Sequence, residues 1–95
     1  MDALITLIHP GETDEADEKT EVFAKVESTG RDEFVAAGER GFKASNKFTV
    51  WNNEYDAQPE CIYNGKRLTI YRTYGPRDDD RIELYAAERV GRYGG

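Results

Sequence analysis

The 95-residue chain has one cysteine, one histidine, one tryptophan and three prolines. A single cysteine excludes an intrachain disulfide, and one Cys with one His cannot build a zinc site. His9 stands beside Pro10 at the end of an apolar stretch, with no nucleophile patterned around it, so no catalytic apparatus is expected. Gly38, Gly41 and Gly65 do not open a helix in a phosphate-loop pattern. The run Asp78-Asp79-Asp80 lacks the spaced oxygen ligands of a calcium loop and reads as a charged turn. Residues 4–8 (Leu-Ile-Thr-Leu-Ile) are too few for a membrane span or a leader core, and no basic segment precedes them. The expectation is a soluble, intracellularly made, non-enzymatic protein with no metal, no cofactor and no membrane contact.

Apolar residues make up 38% of the chain and charged residues 34%. A chain of this size forms one domain, spanning 1–95, and buries roughly 60–65% of its unfolded surface. So low an apolar fraction favours a component of a larger assembly. The net charge of −6 is uneven. Residues 1–40 hold eleven acids against four bases, and residues 41–95 hold eight against nine. An acidic N-terminal half argues against a general nucleic-acid binder.

Period-two alternation dominates what is present. Residues 4–8 form a first strand, apolar on both faces, and therefore central or covered by another subunit. Residues 12–20 read as an acidic loop. Over residues 21–28, Val22, Ala24 and Val26 share one face, while Phe23 stands out on the polar face as a plain exposed aromatic or a subunit contact. Thr29 and Asp32 resemble a helix N-cap pair, so residues 29–41 read as a mobile, glycine-containing connection with one short helix. Residues 42–51 resume strand character, with Phe48 and Val50 on one face and Trp51 on the other. Residues 52–59 form a loop and residues 75–80 a turn. Residues 81–87 form a last strand with Ile82, Leu84 and Ala86 inward, and residues 90–95 form a Gly-rich tail. The fold class is all-β: a small antiparallel barrel or sandwich of about six strands, with long loops and at most one short helix.

The strongest local signal is Asn64-Gly65 between Cys61-Ile62-Tyr63 and Leu68-Thr69-Ile70-Tyr71, a β-hairpin. A two-residue loop would pair Cys61 with Leu68 and set Ile62 opposite Arg67. A three-residue loop with a bulge would pair Ile62 with Leu68, placing Ile62, Leu68 and Ile70 on one face and Tyr63, Thr69 and Tyr71 outward. The second is preferred because it groups the aliphatic residues, and a one-residue slip reverses every side chain. Lys66, Arg67, Arg72, Arg77 and Arg81 interleave with Tyr71 and Tyr74, the composition of an OB-like face that binds single-stranded nucleic acid and equally that of an ordinary polar sheet face.

The succession Phe48-Thr49-Val50-Trp51, Glu54-Tyr55-Asp56, the hairpin through Tyr74, and Ile82-Glu83-Leu84-Tyr85 resembles the head-closure proteins of tailed bacteriophages, also called stopper or head–tail adaptor proteins. Val22–Val26 and Glu33–Ala37 fit the same pattern, so the likeness covers nearly the whole chain. Its strength lies in order, spacing and length. Phe23 stands where Trp is expected, and Leu68 where Tyr is expected.

The resemblance implies a β-barrel subunit of a dodecameric ring in the virion neck, assembled in the host cytoplasm. The ring's partners would be portal and adaptor ring proteins, a tail tube or tail-completion protein, and double-stranded DNA passing without sequence recognition. A tail-completion protein is the neighbouring alternative, and the OB-like module is the alternative of another class. On the head-closure reading, residues 29–47 reach the channel with Glu39, Arg40, Lys43 and Lys47. Residues 11–20 make a partner contact through Glu12, Asp14, Glu15, Asp17 and Glu18, with Phe23 and Trp51 at a subunit interface.

Overall fold

A computed structural model describes residues 2–89, with the backbone alone for residues 14, 34, 43–45 and 89. The tail expected over 90–95 lies outside the described residues. Six antiparallel strands close into a barrel: β1 (Asp2–His9), β2 (Glu18–Ser28), β3 (Phe42–Trp51), β4 (Glu60–Tyr63), β5 (Lys66–Tyr74) and β6 (Arg81–Arg89). Around the barrel the order is β1-β2-β3-β6-β5-β4. The short β4 closes it through Thr6–Ile62, Leu7–Cys61 and Ile8–Glu60.

Alternation fills the interior as expected. Ile5, Leu7, Val22, Ala24, Val26, Phe48, Val50, Ile82, Leu84 and Ala86 form one buried core. Each fully buried aliphatic or aromatic side chain contributes about 1.5–3 kcal/mol. Cys61 belongs to this core, and burial pushes its thiol up to about 12. Bulges between Lys43 and Ser45 in β3 and between Ile70 and Arg72 in β5 interrupt the ladder and bend the strands.

The hairpin departs from the preferred register. Asn64 (φ 54°) and Gly65 (φ 74°) both occupy the left-handed region, as a two-residue type I′ loop requires. Cys61 therefore pairs with Leu68, Ile62 with Arg67 and Tyr63 with Lys66. Tyr63 turns inward and meets Phe48 edge-on, with ring centroids 5.3 Å apart. Ile62 lies on the other face. The turn's twist decides this register, and the core takes Cys61 and Tyr63 in place of the larger aliphatic.

Residues 29–47 are not a long loop. A helix, α1, spans Arg31–Glu39, and β3 begins at Phe42. Asp32 and Glu33 in the first turn suit the positive end of the helix dipole. The N-cap is Gly30, with no side-chain cap hydrogen bond, so Thr29 does not take that place. Gly41 ends the connection at φ 84°. The helix lies on the outer face of the barrel, where Ala37 packs with Phe42, Ala87 and Tyr71. The acidic loop is shorter than expected too, because β2 starts at Glu18.

Residues 52–59 run from β3 to β4, strands on opposite sides of the barrel, and so cross one mouth. Tyr55 packs there against the core and its hydroxyl donates to the Gln58 carbonyl at 2.9 Å. The Asp56 amide donates to the Gln58 side chain at 2.7 Å.

Candidate assembly surface

The two long outer faces of the barrel differ. The face over β5, β6 and the start of β3 is covered by α1 and tied down by charge. Arg72 donates to Glu33 on the helix and lies over the Tyr85 ring at 3.8 Å. The Tyr71 hydroxyl donates to the same carboxylate at 2.6 Å, and Tyr71 stacks on Phe42. The Arg72 hydrogen bond first, then that of Tyr71, holds the Glu33 carboxyl below its usual range.

Glu83 on β6 accepts from Arg77 at 2.8 Å and from Tyr85 at 2.9 Å, with Lys47 3.9 Å away. Burial would push its carboxyl up, but these donors and charges outweigh it and the carboxyl sits low. Arg77 also grips Asp79, and that hydrogen bond lowers the Asp79 carboxyl.

The other face, over β1, β2 and the end of β3, is not covered by α1 and leaves large apolar side chains exposed. Leu4 pairs with Phe23 across β1 and β2. Lys25 pairs with Thr49, which brings Phe23 level with Trp51 two residues further along. Trp51 pairs with Arg81. Phe23 and Trp51 line one shallow groove with Lys25, Thr49 and Arg81. Leu4 is 47% exposed, Phe23 70% and Trp51 48%. A row of large apolar side chains thus crosses three strands on the outside. Sequence reading singled out Phe23 and Trp51 but missed Leu4. Its signal was the two-sided apolar pattern of β1, which already pointed to a covered outer face.

The same region has an open edge. β2 pairs with β1 from Glu18 to Lys25 but with β3 only from Lys25 to Ser28. Among the described residues, β2 from Glu18 to Ala24 therefore has no ladder partner on its β3 side.

The acidic loop divides in two. Asp17 turns inward: its carboxylate accepts from the Gly11 amide at 2.8 Å and from Arg67 at 3.2 Å, and its side chain is only 3% exposed. The amide hydrogen bond, then Arg67, holds the carboxyl below its usual range. Gly11 packs so closely that a Cβ would meet that of Ala16 at 2.5 Å. Asp17 is thus a fastening inside the chain and has no carboxylate to offer a partner. Glu12, Glu15 and Glu18 remain exposed, Glu18 on β2; the Asp14 side chain lies outside the described residues.

The residues expected to line a channel are dispersed over a helix end and a strand. Glu39 ends α1, exposed. Arg40 follows, with its guanidinium 5.5 Å from the Tyr71 ring and donating to the Tyr71 carbonyl at 3.4 Å. Lys43 lies on β3 with its side chain outside the described residues. Lys47, also on β3, is ion-paired with Glu27 at 3.4 Å.

The basic residues of β5 and its flanks are spoken for as well: Lys66 by Glu88, Arg67 by Glu60 and Asp17, Arg72 by Glu33, Arg77 by Asp79 and Glu83. Among the described residues no group of three or more His, Cys, Asp or Glu side chains is placed to hold a metal, and no helix is long and apolar enough to cross a membrane. No protein-family model matches the chain, and no curated protein matches it.

Proposed function

We propose that this chain is a structural subunit of the neck of a tailed bacteriophage or prophage, a head-closure protein that forms a ring below the portal and adaptor. The observation that carries the reading is the bare row Leu4–Phe23–Trp51 on a barrel whose interior is filled by its own side chains. A filled barrel offers no ligand chamber, and exposed apolar surface rimmed by polar residues marks an interaction site. The resemblance of residues 48–85 to head-closure proteins supports the same reading.

The ring extends the DNA channel, retains packaged DNA and docks the tail. Glu12, Glu15 and Glu18 present carboxylates to a basic surface on an adjoining ring, where complementary charge sets register and partner choice. Duplex affinity comes from cations that neutralise phosphate. With Lys47 and Arg40 held by neighbours within the chain, DNA passes the ring without being gripped or read.

The test is to mix the purified chain separately with portal–adaptor complexes and with isolated tails, and to image both by electron microscopy. An added ring beneath the adaptor is expected. A ring only on the tail end reassigns the chain as a tail-completion protein, and binding to neither sinks the neck reading.

A further inference from the structure

We infer that the Leu4–Phe23–Trp51 row of one copy is covered by helix α1 of the next copy; this rests on the ring reading and names its subunit contact. Among the described residues the large exposed hydrophobics are Leu4, Phe23, Val35, Trp51 and Tyr74. Three form the row. Val35, 51% exposed, is on α1.

Asp32, Val35, Ala36 and Glu39 recur at helical spacing and are all exposed, while Ala37 on the other side of the helix is buried against Phe42 and Ala87. The exposed stripe therefore has an apolar centre and a carboxylate at each end. The sheet row has the reciprocal pattern. Phe23 and Trp51 are flanked by Arg81, across the β3–β6 ladder from Trp51, and by Lys25, two residues along β2 from Phe23.

The spans agree. From Lys25 on β2 to Arg81 on β6 is two strand spacings across and two residues along, about 12 Å and within side-chain reach of the helix span. Asp32 to Glu39 is about 10 Å along the helix axis. Matching Asp32 to Lys25 also sets the neighbouring Arg31 toward Asp2, which pairs with Lys25 in the ladder. Arg81 is then left for Glu39. Among the described residues Arg81 has no ion-pair partner of its own, its cation resting on the Trp51 indole. Row and stripe occupy different faces of one chain, so the contact is head-to-tail, the type that builds a ring when its rotation closes.

The test uses the full chain with Phe23→Asp and Val35→Asp, both at exposed positions, with folding checked by circular dichroism. Sedimentation of the wild type shows an oligomer, and each variant weakens self-association by about 30-fold or more. An equimolar mixture of the two variants recovers one intact contact and stops at a heterodimer. In addition, a Phe23→Cys/Val35→Cys double variant gives a ladder of disulfide-linked multimers on oxidation, with Cys61 buried away from the reaction. Wild-type-like assembly of Val35→Asp alongside loss in Phe23→Asp overturns the helix as occupant and leaves the ring standing. A variant mixture that stays monomeric, or a ladder that ends at dimers, overturns the head-to-tail contact. A wild type that stays monomeric and a double variant without a ladder overturn the contact, while the ring itself stands or falls with the added ring beneath the adaptor.

Discussion

The guanidinium carbon of Arg81 lies 4.4 Å from the centroid of the Trp51 indole, across the β3–β6 ladder. This cation–π pair sits at the end of the exposed row, on the barrel face that α1 leaves bare. Such a pair contributes about 0.5–1 kcal/mol when exposed and more when a partner removes the water. Trp51 is therefore poised to gain from assembly.

Trp51 is the only tryptophan, so its fluorescence reports this surface alone. In the dilute chain the half-exposed indole emits close to solvated tryptophan. Raising the concentration through assembly shifts emission to shorter wavelength, and Phe23→Asp abolishes the shift. Emission that is invariant with concentration while sedimentation reports an oligomer would place the interface elsewhere.

Affinity for single-stranded DNA is expected to be negligible at physiological salt. Lys66, Arg67, Arg72 and Arg77 are all ion-paired within the chain. Tyr71 is stacked on Phe42 and bonded to Glu33, so it offers no free platform for a base. Fluorescence anisotropy with a labelled oligonucleotide measures this. Salt-sensitive binding lost in Tyr71→Ala would restore the OB-like alternative.

Acid should destabilise the fold. Asp17, Glu33, Asp79 and Glu83 all sit below their ordinary values, 3.8 for Asp and 4.5 for Glu. In the unfolded chain these groups take up protons first, so their contribution is complete above the ordinary values and is lost as the pH falls through the folded ones. Thermal melts should be flat from about pH 6 to 8 and drop below about pH 4.5. Glu83→Gln should blunt the drop, because it removes one of the titrating groups. An unchanged melting temperature at about pH 3 would contradict the arrangement around Glu83 and Arg77.

Gly65 tests the hairpin directly. Its φ is 74° and nothing lies within 4 Å of the place an added methyl would take, so Gly65→Ala meets no clash and costs only the left-handed backbone, about 1–2 kcal/mol. Urea denaturation measures it. A cost near zero would favour the three-residue loop, in which Gly65 is under no such constraint.

Much of the barrel was legible residue by residue. The alternation at Val22, Ala24 and Val26 and at Ile82, Leu84 and Ala86 named the buried face, because period two is a local property of a pleated strand. Asn64-Gly65 located the hairpin, because few residues accept positive φ. The helix was harder to read. Its amphipathic pattern is weak and its N-cap is Gly30 instead of the Thr29 that the N-cap pair suggested, so the segment read as a mobile connection with one short helix.

By itself the sequence determined the strand count and the inward residues of most strands. Tertiary structure alone decided three things. It selected the hairpin register, since twist and core fit chose between two pairings of similar local quality. It separated Asp17 from Glu12, Glu15 and Glu18, because the Gly11 amide and Arg67 come together only once the barrel closes. It also assembled Leu4, Phe23 and Trp51, far apart in the chain, into one row on the face that α1 does not cover. Each of these depends on contacts between distant segments, and no local pattern encodes which distant segment will arrive.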